Sequence, residues 1–128
     1  MQGFILFGHG ARNPEWALPF HRLRDAIIAR RPDLPVCLGF LESMRPDFGE
    51  AVSSLAAMGV TEITVIPVFI AGGGHVKKDL PVMAAAAMDR HPGVSIAIAA
   101  AVGEAAVVVE AMAEYVIATP WQAGDAVA

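Results

Sequence analysis

Four short runs of apolar residues recur along the chain, and each is followed by a segment with helical spacing. The runs span residues 4–7, 36–41, 63–70 and 94–99. They are apolar at consecutive positions, which is typical of strands buried on both faces of a parallel sheet. Alternation with helices implies right-handed crossovers between parallel strands. The pattern therefore predicts an α/β domain with an open, doubly wound, four-stranded parallel sheet, flavodoxin-like in its βα repeat, and with helices on both faces.

Capping and breaking residues set the limits of the first two predicted helices. Asn13-Pro14 is typical of an N-cap followed by a first helical residue, and Pro19 in the next turn should kink or delay that helix. Pro46 is expected to open the second helix, and Gly59 is expected to end it.

Two more helices and one proline complete the expected order of elements. A third helix is predicted over residues 79–90, and a last helix follows Gly103-Glu104. Pro67 lies within the third apolar run. Because proline cannot donate to a sheet ladder, it favours an edge strand or a bulge at that point.

Length and charge agree with one small domain. The chain has 128 residues, the size of a single domain. We assign the domain to residues 1–119 and expect residues 120–128 to form a frayed tail, because the helical pattern is lost after Pro120. The net charge of -4 gives no reason, by bulk electrostatics, to expect a nucleic-acid partner.

The sequence also indicates a cytoplasmic protein without a membrane span. The most apolar stretch, residues 93–109, is interrupted by Gly103-Glu104, whereas a spanning helix needs about 20 apolar residues. The first residues lack the basic leader and cleavage site of a signal peptide. Cys37 is the one cysteine, so no intramolecular disulfide can form, which fits the cytoplasm.

Three residues with metal-binding side chains follow apolar runs. In open parallel sheets, ligands bind beyond the carboxyl ends of the strands, and this rule selects His9, Glu42 and His75. Imidazole and carboxylate together suit cobalt, iron, nickel or zinc. Taken alone, His9 between two glycines is more typical of an ordinary loop histidine. Glu42 fits a solvated acid at a strand end equally well.

Glycines and basic residues surround these positions. Residues 72–74 are all glycine and could form a nest of N–H groups for an anion, although the spacing of a phosphate-binding P-loop is absent. Four basic residues fall on the same end of the predicted sheet: Arg12, Arg45, Lys77 and Lys78. In an acidic protein this local cluster indicates an anionic ligand, a polycarboxylate or phosphate, unless it is ordinary solvated charge. His21, His91 and Cys37 are expected to be structural.

Three motifs together resemble one family. They are LFGHGAR at residues 6–12, FLE at residues 40–42 and GGHVKKDLP at residues 73–81. The chain resembles the small, single-lobe sirohydrochlorin chelatases of the CbiX type, relatives of class II ferrochelatases, from the first strand to about Ala118. The third motif is the most specific. Ala11 departs from the serine that the family often carries, which removes a hydroxyl but none of the candidate metal ligands.

The resemblance implies a chelatase-like fold and a reaction. It implies insertion of a divalent metal, cobalt or iron with nickel as a further candidate, into a sirohydrochlorin-type tetrapyrrole on the way to cobalamin, siroheme or a related cofactor. His9 and His75 would be catalytic, binding the metal and accepting pyrrole protons, and Glu42 would be a further metal ligand. The metal is a substrate, and no organic cofactor is expected.

The resemblance also implies how substrate and partner are bound. The carboxylates of the tetrapyrrole would be bound by the four basic residues, with three glycines allowing close approach: Gly10, Gly73 and Gly74. Larger relatives contain two such lobes with the site between them, so this chain is expected to form a homodimer.

Three other functions remain open from the sequence. A metallochaperone or tetrapyrrole carrier would have the same residues without turnover. A phosphate- or nucleotide-binding protein would use the glycines at residues 72–74. A diverged lobe with no activity of its own is the third.

Overall fold

Four parallel strands form one sheet in the computed structural model, which describes residues 1–125. The strands are β1 (Gln2–Gly8), β2 (Val36–Phe40), β3 (Glu62–Pro67) and β4 (Ser95–Ile98). Their order is β2-β1-β3-β4, and each neighbouring pair is parallel. The predicted open parallel sheet is confirmed. The chain reverses its direction of winding at β1, so a ligand site is expected beyond the carboxyl ends of β1 and β3.

Helices cover both faces of the sheet, as predicted. They are α1 (Leu18–Arg30), α2 (Phe48–Ala57), α3 (Gly74–Arg90) and α4 (Ala106–Ala118). Helix α1 packs on one face, mainly against β2, whereas α2 and α3 pack on the other. Short 3₁₀ helices precede α1 (Pro14–Ala17) and α4 (Val102–Glu104), and a third spans Ala123–Asp125. Within residues 1–125, no helix has both the length and the apolar character needed to cross a membrane.

Two apolar clusters, one on each face, explain the unbroken apolar run of β1. Ile5 and Phe7 face α2 and α3, and both are fully buried. Leu6 lies between them in sequence and faces α1, where it packs with Phe20. The outer strand β4 differs, because Ser95 and most of its other residues are exposed. The expectation that every strand is buried on both faces is therefore wrong for β4, which lies at the edge of the sheet.

The start of α2 is set by an acid rather than by a proline. Asp47 is the N-cap: its Oδ1 accepts the Glu50 N–H at 2.8 Å, and Glu50 Oε1 accepts the Asp47 N–H at 3.0 Å. Because this capping box satisfies N–H groups that the first turn leaves free, it places the start of the helix at Phe48. The prediction that Pro46 opens α2 is therefore wrong. Gly59, with φ of 89°, ends it as predicted.

Prolines in α1 and α3 behave differently. A 3₁₀ helix precedes α1, and Pro19 is the second residue of α1, so the delayed start is confirmed. Helix α3 begins at Gly74 rather than at residue 79. Pro81 lies inside α3, although proline is more usual in a first turn. The late predicted start is therefore wrong.

Pro67 ends an interior strand. Strand β3 lies between β1 and β4, so the prediction of an edge strand is wrong. The Val65 carbonyl accepts the Ala99 N–H at 2.9 Å, so the backbone of residue 67, two positions on, also faces the β4 side. Strand β4 has already ended at Ile98. No ladder bond therefore requires an N–H from Pro67 at this point.

The structure describes only part of the predicted tail. Trp121 is exposed, and residues 126–128 lie outside the described part of the chain. The boundary at residue 119 stays a prediction.

We expect Asp47→Ala to lower the free energy of unfolding by about 1 kcal/mol, because it removes the side-chain acceptor at the start of α2. Asp47→Ser keeps an acceptor and should retain most of the stability. Urea denaturation followed by circular dichroism measures both. Equal stability of the alanine variant and the parent protein would contradict the role of the cap.

Candidate metal and substrate site

The ladder between β1 and β2 continues beyond the ends of the two strands. The Leu41 N–H donates to the Gly8 carbonyl at 2.9 Å, and the Glu42 N–H donates to the His9 carbonyl at 3.1 Å. These bonds hold the two loops side by side. They bring His9 and Glu42, selected separately from the sequence, to the same point on the edge of the sheet.

The side chains of His9 and Glu42 are in contact. Nε2 of His9 lies 3.1 Å from Oε1 of Glu42, and the two side chains are 53% and 62% exposed. Two ligands about 2.1 Å from a metal ion, at a right angle, are themselves about 3.0 Å apart. The observed spacing therefore suits a hydrogen bond in the free protein and a shared metal ion when one is bound.

Gly10 has a structural reason to be glycine. Its φ is 92°, and a Cβ atom at this position would lie 1.9 Å from the backbone oxygen of Glu42. Any side chain would therefore push the two loops apart. Gly10 was predicted to contact substrate, and the structure gives it this second role of allowing close approach between the loops.

His75 lies in the first turn of α3, after the glycines that follow β3. The expectation that it sits on a loop is corrected by the early start of α3. Its side chain lies outside what the structure describes. Among the residues that are described, no group of three His, Cys, Asp or Glu side chains could hold a metal ion. The structure joins two of the three predicted ligands, and the third remains a prediction.

The N-terminus of α3 presents glycine backbone to solvent. Gly73 is the N-cap, and Gly74 is the first helical residue. The first N–H groups of an α-helix have no partner within the helix, and the helix dipole favours an anion there. Lys77 and Lys78 follow in the next turn and are exposed. A cavity of about 200 Å³ is lined mostly by apolar groups, together with Lys77 and Glu104.

The other two basic residues have different surroundings. Arg12 is exposed, two residues beyond Gly10. The Arg45 guanidinium donates through Nε to Oε2 of Glu50 at 3.0 Å and also through Nη2. These hydrogen bonds, with a smaller contribution from the Asp47 N–H, lower the pKa of Glu50 to about 2. Arg45 would have to leave this carboxylate to bind a substrate.

Glu50 is the residue that sequence reasoning missed at this end of the sheet. It joins the cap of α2 to the loop that carries Glu42, and both acids line a polar cavity of about 540 Å³. Glu50 stands three positions after Asp47, which is the spacing of a capping box, so the sequence alone could have indicated its role.

Two of the three residues expected to be structural, His91 and Cys37, contact other side chains, whereas His21 is exposed on α1. Oγ of Ser53 lies 3.2 Å from Nε2 of His91. Cys37 is half-buried against the core, and burial raises the pKa of its thiol. Trp16 stacks on Phe20, with ring centroids 5.1 Å apart, so it is a packing residue.

We expect Gly10→Ala to destabilise the protein more than Gly59→Ala does. Both glycines have positive φ, and the change to alanine costs about 1–2 kcal/mol for that reason alone. At Gly59 a Cβ would meet no atom within 4 Å, whereas at Gly10 it would strike Glu42. Chemical denaturation of both variants gives the comparison. Equal losses would contradict the close approach of the two loops.

The depressed pKa of Glu50 predicts a loss of stability in acid. The pKa is about 2 in the folded protein against an ordinary value of 4.5, so its stabilising effect is complete above pH 4.5 and is lost as the pH falls toward 2. The difference in unfolding free energy between the parent protein and Glu50→Gln should shrink over that interval. Arg45→Gln should weaken the same dependence, because Arg45 is its main cause. A difference independent of pH would contradict the pairing.

Comparisons with known proteins agree with this geometry. The CbiX family profile matches residues 3–119. The sirohydrochlorin cobaltochelatase of Methanothermobacter thermautotrophicus is 44% identical over 79 residues, which are 62% of this chain and 54% of the relative. That of Methanosarcina barkeri is 37% identical over 79 residues, 62% of this chain and 61% of the relative. The matched part is thus less than two thirds of the length of each relative.

Solved structures have the same fold. A CbiX protein from Marinobacter aquaeolei VT8 superposes with a TM-score of 0.81 at 26% identity, over 91% of this chain and 95% of that one. SirB from Bacillus subtilis with Fe³⁺ gives a TM-score of 0.76 at 25% identity, over 94% of this chain and 49% of that one. SirB from the subspecies spizizenii, a sirohydrochlorin chelatase in complex with cobalt, gives 0.76 at 26%, over 91% and 50%. The resemblance seen in the motifs is confirmed, and the chain belongs to the CbiX family.

Proposed function

We propose that this protein inserts a divalent metal ion, cobalt or iron, into a sirohydrochlorin-type tetrapyrrole. The observation that carries the proposal is the contact between His9 and Glu42 at the open edge of the sheet, in a member of the CbiX family. Two relatives are named sirohydrochlorin cobaltochelatases, and the SirB structures were obtained with Fe³⁺ and with cobalt. Nickel remains a candidate, because the same donor atoms bind it well.

The first step is capture of the metal by His9 and Glu42. The carboxylate offsets part of the metal's charge, and the imidazole supplies a nitrogen donor suited to first-row ions. Both side chains are more than half exposed, so an ion can enter directly from solvent and keep open coordination positions for the macrocycle. His75, in the first turn of α3, is the proposed third ligand or base.

The second step is removal of two pyrrole protons, and it assigns different roles to the two histidines. A neutral imidazole that gives its Nε2 lone pair to a metal keeps its one proton on Nδ1 and cannot accept another. If His9 shares the metal with Glu42 through Nε2, it is therefore a ligand rather than the base. His75 is then the proposed acceptor, taking one pyrrole proton, passing it to solvent water and then taking the second, since an imidazole exchanges protons near neutral pH.

Backbone N–H groups and basic side chains at the same edge of the sheet would orient the substrate. We assign tetrapyrrole carboxylates to the N-terminus of α3 at Gly73 and Gly74, and to Lys77 and Lys78 beside it. Arg12 would hold the opposite side, near His9. Arg45 would contribute after exchanging Glu50 for a substrate carboxylate, and Gly10 would act by keeping the His9 loop close to Glu42.

A homodimer in the cytoplasm completes the proposal. This chain matches about half of the SirB chain, and one open edge supplies one wall of a cleft for a flat macrocycle. A second copy would supply the other wall. The divalent metal is a substrate in this reaction, and the proposal requires no organic cofactor.

The test is an anaerobic absorbance time course with sirohydrochlorin and Co²⁺, Fe²⁺ or Ni²⁺ in turn. The parent protein should exceed the spontaneous rate with at least one metal, and His75→Ala should lower the rate by about 100-fold or more, as for loss of a catalytic base. His9→Ala and Glu42→Gln should weaken metal binding as well as turnover. The control is His91→Ala, because His91 is the C-cap of α3 and precedes β4, at the edge where the strands begin, and should keep full activity.

Two results would overturn the proposal. No acceleration with any of the three metals, together with a spectral shift on tetrapyrrole binding, would identify a carrier. Undiminished turnover in His75→Ala would remove that residue from the reaction.

A further inference from the structure

The loop that follows β3 carries an exposed apolar side chain at the open edge of the sheet. Ile70 is 75% exposed and belongs to neither of the two apolar clusters of the core. The two residues before it, Val68 and Phe69, are partly buried against those clusters. The chain therefore turns outward at Ile70, just before the glycines that lead into α3. A single exposed apolar side chain is common on protein surfaces, so exposure alone assigns it no function.

The order of the strands places the Ile70 loop beside the His9 loop. Strands β1 and β3 are paired, and the Val68 N–H continues their ladder by donating to the Phe7 carbonyl at 2.9 Å. Neighbouring strands lie about 4.8 Å apart, so the chain leaves β3 close to the point where it leaves β1. The Glu42 loop lies on the other side of the His9 loop. Along the edge, the His9 loop is therefore flanked by the Glu42 loop and the Ile70 loop.

Contacts with the segment before α4 fix the backbone at Ile70. The Gly103 N–H donates to the Phe69 carbonyl at 2.8 Å. Gly103 is buried, and a Cβ at this position would collide with the carbonyl oxygen and the Cα of Ile70. Residue 103 is thus packed directly on the Ile70 backbone, while the Ile70 side chain remains in solvent. A side chain presented from a fixed backbone pays a smaller ordering cost when it binds a partner.

We propose that Ile70 is a substrate contact that packs against the flat apolar face of the tetrapyrrole. This inference rests on the proposed function, in which His9 and Glu42 hold the metal and the macrocycle covers it. A macrocycle placed over the metal extends across the neighbouring loops, and the Ile70 loop is the neighbour on the side away from Glu42. The basic residues of the edge can bind only the carboxylates at the periphery. The ring face requires an apolar partner, because burial of apolar surface is what stabilises such a contact.

Other apolar side chains in the loops at this edge offer less free surface. Trp16 is 38% exposed, and its ring stacks on Phe20 and meets Phe40 edge to face. Met44 is partly buried against the cluster on the α1 face of the sheet. Both side chains are already used in packing within the chain. Ile70 is the one of the three whose side chain is mostly free to contact a ligand.

Substitutions at Ile70 and at a matched position test the contact. Ile70→Ser removes the apolar surface, and Ile70→Leu keeps it. The control is Val82→Ser, because Val82 is 69% exposed in the middle of α3. Binding of metal-free sirohydrochlorin is measured by absorbance titration. We expect a dissociation constant about 10-fold higher for Ile70→Ser, as for loss of a well-packed apolar side chain from an interface, and values near the parent's for Ile70→Leu and Val82→Ser.

Two further measurements separate a substrate contact from a structural role or a role in assembly. Calorimetry with Co²⁺ should give the parent's dissociation constant for Ile70→Ser, because His9 and Glu42 are unchanged. Sedimentation velocity should give the parent's oligomeric state, a necessary control because Ile70 also lines a small cavity with Val108 and Met112 of α4. Unchanged tetrapyrrole affinity in Ile70→Ser would overturn the proposal. A loss of tetrapyrrole affinity accompanied by a changed Co²⁺ affinity or a changed oligomeric state would also overturn it.

The same titration distinguishes failure of this inference from failure of the proposed function. Turnover by the parent protein, with equal tetrapyrrole affinities for the parent and Ile70→Ser, would leave the chelatase function standing and remove Ile70 from it. Tetrapyrrole binding that depends on Ile70, without turnover by the parent protein, would leave the contact standing in a carrier.

Discussion

The hydrogen bond from the Glu42 N–H to the His9 carbonyl is the contact on which the proposed chemistry depends. It extends the β1–β2 ladder into two loops that would otherwise be free to separate. The loops can approach because residue 10 has no Cβ, and the ladder beneath them is held in the middle of the sheet by apolar packing on both faces. The imidazole and the carboxylate are thus placed by the sheet rather than by their mutual attraction, which is modest for exposed groups.

The two faces of the sheet are covered to different extents, and this difference connects the fold to its expected assembly. Helices α2 and α3 bury their side of β1 and β3 almost completely. On the other side, α1 covers β2, and the surface over β3 and α4 is left partly open. Large exposed apolar patches are unusual on a monomer and often mark a surface that contacts another molecule. The open surface beside α4 is compatible with the homodimer that the proposed function includes.

Much of the fold could be predicted from the sequence, since unbroken apolar runs alternating with helical segments allow few arrangements. The convergence of His9 and Glu42 also followed, because parallel strands end at the same edge. Interactions between residues that lie outside the apolar runs could not be predicted in the same way. Arg45 was predicted to bind substrate, and its hydrogen bonds to Glu50 depend on a loop geometry that the residue types do not fix. Pro46 and Pro67 were misread because the cap at Asp47 and the end of β4 decide what each proline can do.

Helical periodicity reveals neither how far a helix is buried nor where it begins. Apolar spacing in α4 predicts a helix correctly, but it does not reveal that every residue of the helix stays at least partly exposed. The early start of α3 was also not predicted. Glycine has low helix propensity, yet Gly73 is the N-cap of α3 and Gly74 is its first helical residue.

The central claim, that His9 and Glu42 act as one metal site, is tested most directly by a double-mutant cycle on Co²⁺ affinity. The dissociation constant is measured by calorimetry for the parent protein, His9→Ala, Glu42→Gln and the double variant. If both side chains bind the same ion, the second substitution should cost much less affinity than the first, so the two effects are strongly non-additive. Effects that simply add, or an affinity that neither substitution changes, would contradict the account.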